Sequence, residues 1–153
     1  MEIISPGNAG KELTRGINHL IAQLTDTPRS IPAARIEAII DSECSHLLVA
    51  VDRGAVVGML TLVLHDIPTG TRAMIEDVVV DSAARGQGAG RALIQKALAR
   101  AEALGADAVY LSSAPERRAA NRLYRKMNFK IRETNVYRYS MPGGSSRERG
   151  GRP

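Results

Sequence analysis

The feature that most constrains the fold is a glycine-rich turn, RGQGAG, at residues 85–90. An apolar run, AMIEDVVV, precedes it at residues 73–80, and apolar side chains follow it at helical spacing. Glycines let a backbone approach an anion closely, and the free N–H groups of the first helical turn donate to that anion. The pattern therefore predicts a strand–turn–helix unit that binds phosphate, although a purely structural glycine turn would also fit these residues.

The rest of the chain predicts short helices and strands in one domain. Apolar spacing predicts helices over residues 10–25, from Pro32 onward, from the glycine turn to Gly105, and over residues 119–127. A break at Thr27-Pro28 separates the first two helices, and Ser30 is the expected N-cap of the second, with Pro32 in its first turn. Strands are predicted at residues 2–5, 46–51, 56–64, 73–80, 108–113, 129–131 and 135–140.

The last twelve residues differ in composition from the rest. Residues 142–153 are rich in Gly, Ser and Arg and offer nothing to bury, so we expect a disordered basic tail. The folded domain is expected to occupy residues 1–141. The order of its elements is typical of an α/β (α+β) fold.

Two common phosphate-binding loops do not fit the turn. A P-loop needs Gly-Lys-Ser/Thr, whereas Gly90 is followed by Arg91. A dinucleotide fingerprint that starts at Gly86 or Gly88 lacks the closing glycine or alanine. A nucleotide site of either kind is therefore not expected.

The turn resembles the acetyl-CoA pyrophosphate loop of the GCN5-related N-acetyltransferases (GNAT family), whose pattern is Gln/Arg-x-x-Gly-x-Gly/Ala. Downstream, NRLYRKMNF at residues 121–129 is similar to the family's Asn/Tyr segment, with Asn128 where the family usually has Gly. The resemblance covers roughly residues 49–140. It implies a central mixed, mostly antiparallel sheet flanked by helices, and acetyl-CoA as co-substrate for transfer to an amine of a small molecule or protein.

The resemblance also implies the residues that contact acetyl-CoA. The backbone of the strand before the turn is expected to pair with the pantetheine arm, and the turn is expected to bind the pyrophosphate. Asn121 is expected to orient the arm. Apart from the resemblance, a basic run at residues 117–132 suits the adenosine phosphate of CoA or an acidic substrate, with Arg118 as its one candidate contact, and a solvated helix face is an equal alternative. The expected set is Val78, Val79, Val80, Arg85, Gly86, Gln87, Gly88, Ala89, Gly90, Arg91, Asn121 and Tyr124.

Three side chains are candidates for proton transfer, two as the base and one as the acid. Glu76 is expected to be the general base that helps neutralise the amine, with Asp77, on the opposite strand face, as the second candidate. A structural salt bridge is an equal alternative for Glu76. Tyr124 is expected to protonate the departing thiolate, and an ordinary core tyrosine is its alternative. Cys44, the only cysteine, is a weak candidate nucleophile, because no His or acid stands near it in a recognisable arrangement. We expect it to be a small buried core residue, so direct transfer is favoured.

Composition restricts the other classes of function. The net charge of +5 suits an anionic ligand, but one Phe, four Tyr and no Trp make nucleic-acid binding unlikely. No run approaches the roughly 20 apolar residues of a membrane helix, and the N-terminus lacks the pattern of a signal peptide, so a cytoplasmic location is expected. Three scattered histidines predict no metal site. A homodimer is expected through NVYRYSM, and a non-catalytic CoA-binding regulatory module is the alternative function.

Overall fold

The computed structural model describes residues 1–25 and 30–142. The elements follow the chain as β1 (Glu2–Ile4), α1 (Lys11–Leu24), α2 (Ala33–Ile40), β2 (Ser45–Asp52), β3 (Ala55–Ile67), β4 (Gly70–Val80), a single 3₁₀ turn (Ser82–Ala84), α3 (Ala89–Ala103), β5 (Ala108–Leu111) and α4 (Arg118–Lys126). Neither the predicted break at Thr27-Pro28 nor the predicted disorder after Pro142 lies within the described residues.

One sheet organises these elements. Its five strands lie in the order β1-β2-β3-β4-β5. The first four are antiparallel to their neighbours, and β5 runs parallel to β4. This confirms the predicted fold class, a single domain with a mixed, mostly antiparallel sheet flanked by helices.

Strand β2 shows how the helices cover both faces of the sheet. Successive strand side chains point to opposite faces. Leu48 and Ala50 pack in one core with α3 and α4, whereas Leu47 and Val49 pack in a second core with α1 and α2. All four side chains are buried. Because the strand is apolar on both faces, it specifies a layer of sheet between two layers of helix.

The start of α2 differs from the prediction. Pro32 is the N-cap, with φ −67° and ψ 149°, and the helix begins at Ala33, so the expectation of Ser30 as N-cap was wrong. The cause is a tertiary contact with α1. The amide of Asn18 accepts from Ile31 N–H at 2.6 Å and donates to Ile31 O at 3.0 Å, which holds Ile31 outside the helix. A residue that precedes proline is also disfavoured in helical conformation.

Two further expectations were wrong. Residues 129–131 and 135–140 form no strand, and residues 130–142 are exposed. Their alternating β-prone side chains lack a partner strand and a covering layer, and β-propensity depends on both. Cys44 is exposed rather than buried. It lies in the turn before β2, where its N–H donates to Ser42 Oγ at 3.2 Å.

No helix in the described part of the chain is both long enough and apolar enough to span a membrane.

Candidate active site

A β-bulge in β4 shapes the site. Met59 of β3 pairs with Val79 and Thr61 pairs with Glu76, so Leu60 faces two residues of β4 rather than one. Asp77, at the extra position, has φ 52°, a conformation that non-glycine residues seldom adopt. Such bulges bend a strand and redirect its side chains. The strand therefore changes direction where the expected catalytic residues lie.

Beyond the bulge, β4 has an open edge. The pairing with β5 ends at Ile75 opposite Leu111, whereas β4 continues to Val80. Asp81 N–H donates to Val57 O on β3 at 2.9 Å. Since alternate residues of a strand direct their backbone groups to the same side, the carbonyls of Val78 and Val80 point the other way, toward the open edge.

The glycine turn leads directly into α3. Gly88 is the N-cap of α3 with φ 90°, and Gly86 has φ 79°. A Cβ at either position would meet no atom within 4 Å, so the requirement for glycine is conformational rather than steric. Gly90 is different, because its Cβ would lie 3.3 Å from Leu123 Cδ2 of α4. The turn thus exposes its backbone while α3 packs closely against α4.

A cleft of about 1000 Å³ connects these features. It is bounded by the open edge of β4, the glycine turn and the start of α4. The cations among its lining residues are Arg85, Arg91, Arg117, Arg118, Arg122 and Lys126, and the acid among them is Glu116. Such an excess of positive charge beside exposed N–H groups at a helix start favours a ligand with several phosphate groups.

The structure brings Tyr124 to the inner end of the cleft. The side chain is only 5 % exposed, and its ring packs edge-on against Phe129 with centroids 6.0 Å apart. Burial raises the pKa of the phenol above its usual value, and the positive charge of Arg117 opposes part of that rise. Tyr124 therefore keeps its proton at neutral pH, as a proton donor must.

A small pocket of about 30 Å³ adjoins Tyr124 on the side of the bulge. Glu76 and Asp77 both line it, together with Arg117 and Ser112. The expectation that Asp77 would lie on the opposite face from Glu76 relied on strict alternation, which the bulge interrupts. Both candidate bases thus share one pocket with the candidate acid.

The side chains of two expected contact residues donate to nearby backbone carbonyls and do not line the cleft. Gln87 Nε2 donates to Ala83 O at 3.3 Å, and Asn121 Nδ2 donates to Ala114 O at 2.8 Å. Neither residue lines the cleft, whereas Val78, Val79, Val80, Arg85, Gly86, Gly88, Ala89, Gly90, Arg91 and Arg118 do. In this structure, Asn121 holds the segment before α4 in place.

Two contacts near the site were not predicted from the sequence. Arg117 is not among the expected contact residues, yet its Nη2 donates to Val78 O at 2.9 Å. On the other side of β4, His19 Nε2 lies 2.6 Å from Asp81 Oδ2, and Gln23 Oε1 accepts from Ser82 N–H at 2.9 Å. The helical i, i+4 spacing of His19 and Gln23 was the available signal for this link between α1 and the turn.

Comparison with known proteins identifies the family. The family model described as the acetyltransferase (GNAT) family matches residues 17–129. The chain belongs to the GNAT acetyltransferase family. The match includes β4, the glycine turn and the helix that carries Tyr124.

Solved structures share the GNAT fold. A transcriptional regulator from Bacillus halodurans C-125 is 27 % identical with a TM-score of 0.77, over 91 % of this chain and 99 % of that one. An acetyltransferase from Trypanosoma brucei is 24 % identical with a TM-score of 0.75, over 92 % and 99 %. Glucosamine-6-phosphate N-acetyltransferase from Arabidopsis thaliana is 20 % identical with a TM-score of 0.76, over 90 % and 97 %. No curated protein sequence matches the chain.

Proposed function

We propose that this GNAT protein is an N-acetyltransferase that moves the acetyl group of acetyl-CoA directly to an amine of a small molecule or protein. The observation that carries the proposal is the continuity of one cleft. It runs from the helix start at Gly88, along the open edge of β4, to the buried phenol of Tyr124. The candidate phosphate site, the strand edge for an amide arm and the candidate proton donor thus follow one another along the same cleft.

The residues present fit acetyl-CoA. The N–H groups at the start of α3 and the cations of the cleft would hold its phosphates. The edge of β4 at Val78 and Val80 would hold its amide arm as an added strand does. Acetyl-CoA supplies the acetyl group as an activated thioester.

Glu76 and Tyr124, which both line the small pocket, would carry out the proton transfers. An amine with an ordinary pKa near 10.4 is about one part in two thousand neutral at pH 7, so a base is needed. Glu76, directly or through a water in the pocket, accepts the proton from the amine, whose nitrogen then bonds to the acetyl carbon. The carbon–sulfur bond breaks, Tyr124 donates its proton to the sulfur, and the resulting phenolate takes up the surplus proton of the amide nitrogen.

Direct transfer is supported by the position of the single cysteine. Cys44 lies exposed in the turn before β2 and does not line the cleft or the small pocket. An acyl-enzyme intermediate on cysteine would need a thiol beside the site where the acetyl group is transferred. The amine is therefore the group that attacks the thioester.

The test is a screen of primary amines with acetyl-CoA, in which released CoA thiol is measured. We expect turnover with at least one amine. Acetyl-CoA that binds but gives no turnover with any amine or peptide acceptor would contradict the enzyme assignment and favour a non-catalytic CoA-binding module.

A further inference from the structure

Two guanidinium groups donate hydrogen bonds to backbone carbonyls on the open edge of β4. Arg117 Nη2 donates to Val78 O at 2.9 Å, and Arg85 Nε donates to Val80 O at 3.3 Å. Arg85 is the first residue of the glycine turn, and Arg117 is the N-cap of α4. The two contacts therefore join both walls of the cleft to one strand edge.

An amide ligand on this edge needs the same oxygen atoms. A ligand that adds to a sheet as a strand donates its N–H groups to carbonyls of the edge strand. A hydrogen bond from a charged donor is about twice as strong as one between neutral groups. The contact of Arg117 is also partly buried. A neutral amide arm by itself therefore competes poorly for Val78 O.

A ligand with phosphate groups would change the competition between the guanidinium groups and the amide arm for these carbonyls. Both arginines line the same cleft as the start of α3, where a multiply charged anion is attracted. Guanidinium binds phosphate in a bidentate manner and prefers it to a neutral carbonyl. An anion in the cleft thus offers both guanidinium groups a better acceptor, and their departure would leave the carbonyls to the arm.

We propose that Arg85 and Arg117 form a clasp that closes the open edge of the free protein and that the phosphates of a CoA thioester release it. The proposal rests on the proposed function, since it takes the edge of β4 as the site of the amide arm. Its consequence is selectivity. The protein discriminates against thioesters that carry the arm without the nucleotide, because such ligands meet a closed edge.

S-acetyl-pantetheine is the discriminating probe, because it carries the thioester and amide arm but no phosphate. We expect Arg117→Met to bind it about three- to tenfold more tightly than wild type in an NMR titration, because the competing donor is gone. The ligand is neutral, so the loss of a positive charge does not itself change its attraction. Arg85→Met should show a smaller gain for S-acetyl-pantetheine and a loss for acetyl-CoA, as the contact of Arg85 is longer and more exposed.

Arg125→Met is the matched control, since Arg125 lies on α4 and does not line the cleft. It should leave both affinities unchanged, and thermal melts should show that all variants fold. If neither clasp variant tightens S-acetyl-pantetheine while wild type still binds acetyl-CoA, the clasp is wrong and the proposed function stands. If wild type binds no acetyl-CoA, both are wrong.

Discussion

His19 Nε2 lies 2.6 Å from Asp81 Oδ2, which connects α1 to the residue that follows β4. The other oxygen of Asp81 accepts from Ala83 N–H at 2.8 Å and caps the 3₁₀ turn before the glycines. The Gln23 amide also approaches His19 Nε2, at 3.0 Å, but that nitrogen donates to the carboxylate and cannot also accept. Asp81 therefore organises the junction between α1, β4 and the glycine turn.

We predict that Asp81→Ala lowers the free energy of unfolding by about 1 kcal/mol at pH 7, because an N-cap acceptor is lost. Asp81→Asn should cost less, since its amide oxygen still accepts from Ala83. The hydrogen bond from Ala83, with help from His19 and Gln23, lowers the pKa of Asp81, while desolvation opposes this shift. The contribution of the charge is thus complete above the unfolded pKa of about 3.9 and is lost as the pH falls through the lower folded value.

Urea unfolding of wild type and Asp81→Asn from about pH 7 to about pH 2 measures this contribution. The difference between the two proteins should shrink at the acid end. A difference that stays constant across the range would mean that the charge of Asp81 adds nothing to stability.

We predict that Tyr124→Phe lowers kcat by about 100-fold or more and leaves acetyl-CoA affinity intact, because the hydroxyl acts in the transition state. The alkaline limb of the wild-type rate profile should lie above about pH 10, since burial raises the pKa of the phenol. That limb should change in the variant. Tyr110→Phe on β5 is the control, because Tyr110 does not line the cleft. Near-full kcat in Tyr124→Phe, with chemistry rate-limiting, would make Tyr124 structural.

We predict that Glu76→Gln lowers kcat/KM for the amine by about 100-fold, because a positioned base is lost. Asp77→Asn is the matched variant from the same pocket. It suits the φ of 52° at this position, since asparagine tolerates left-handed backbone. The loss of kcat/KM should occur in Glu76→Gln alone. Loss of activity in Asp77→Asn instead would transfer the role of base to Asp77.

We predict that Gly88→Glu weakens acetyl-CoA binding by about tenfold or more, because it adds a negative charge beside the phosphate site. Gly54→Glu is the control, since Gly54 has a similar φ of 80° in the turn between β2 and β3. Both variants carry similar backbone strain and charge change. Calorimetry should show weaker binding for Gly88→Glu only. Unchanged affinity in that variant would place the phosphates elsewhere.

We predict a homodimer that depends on the exposed segment after α4. Val136, Tyr137 and Tyr139 are 84, 88 and 83 % exposed, an unusual state for large apolar side chains in sequence. Val136→Glu should shift sedimentation at tens of micromolar toward the monomer, a range where weak dimers persist by mass action. Lys130→Gln is the control with the same charge change. A wild-type monomer at this concentration would refute the prediction.

Much of the site could be read from local sequence. The turn at residues 85–90 could be predicted from its glycines, because positive φ and close backbone approach each demand glycine at defined positions. The strands β2 to β4 were predicted within a few residues, since their apolar runs are long and bounded by turn residues. The family resemblance then pointed to Tyr124, which the structure places at the inner end of the cleft.

Other features of the fold and the site were decided only by the tertiary structure, because they depend on residues that are far apart in the chain. The amide of Asn18 set the start of α2, and missing neighbours left residues 129–141 without strand structure. The bulge at Asp77 placed both acids at one pocket, and the contact of Arg117 with Val78 joined groups 39 residues apart. Local spacing cannot encode such contacts, because hydrogen-bond partners and strand register are chosen by the whole packed fold.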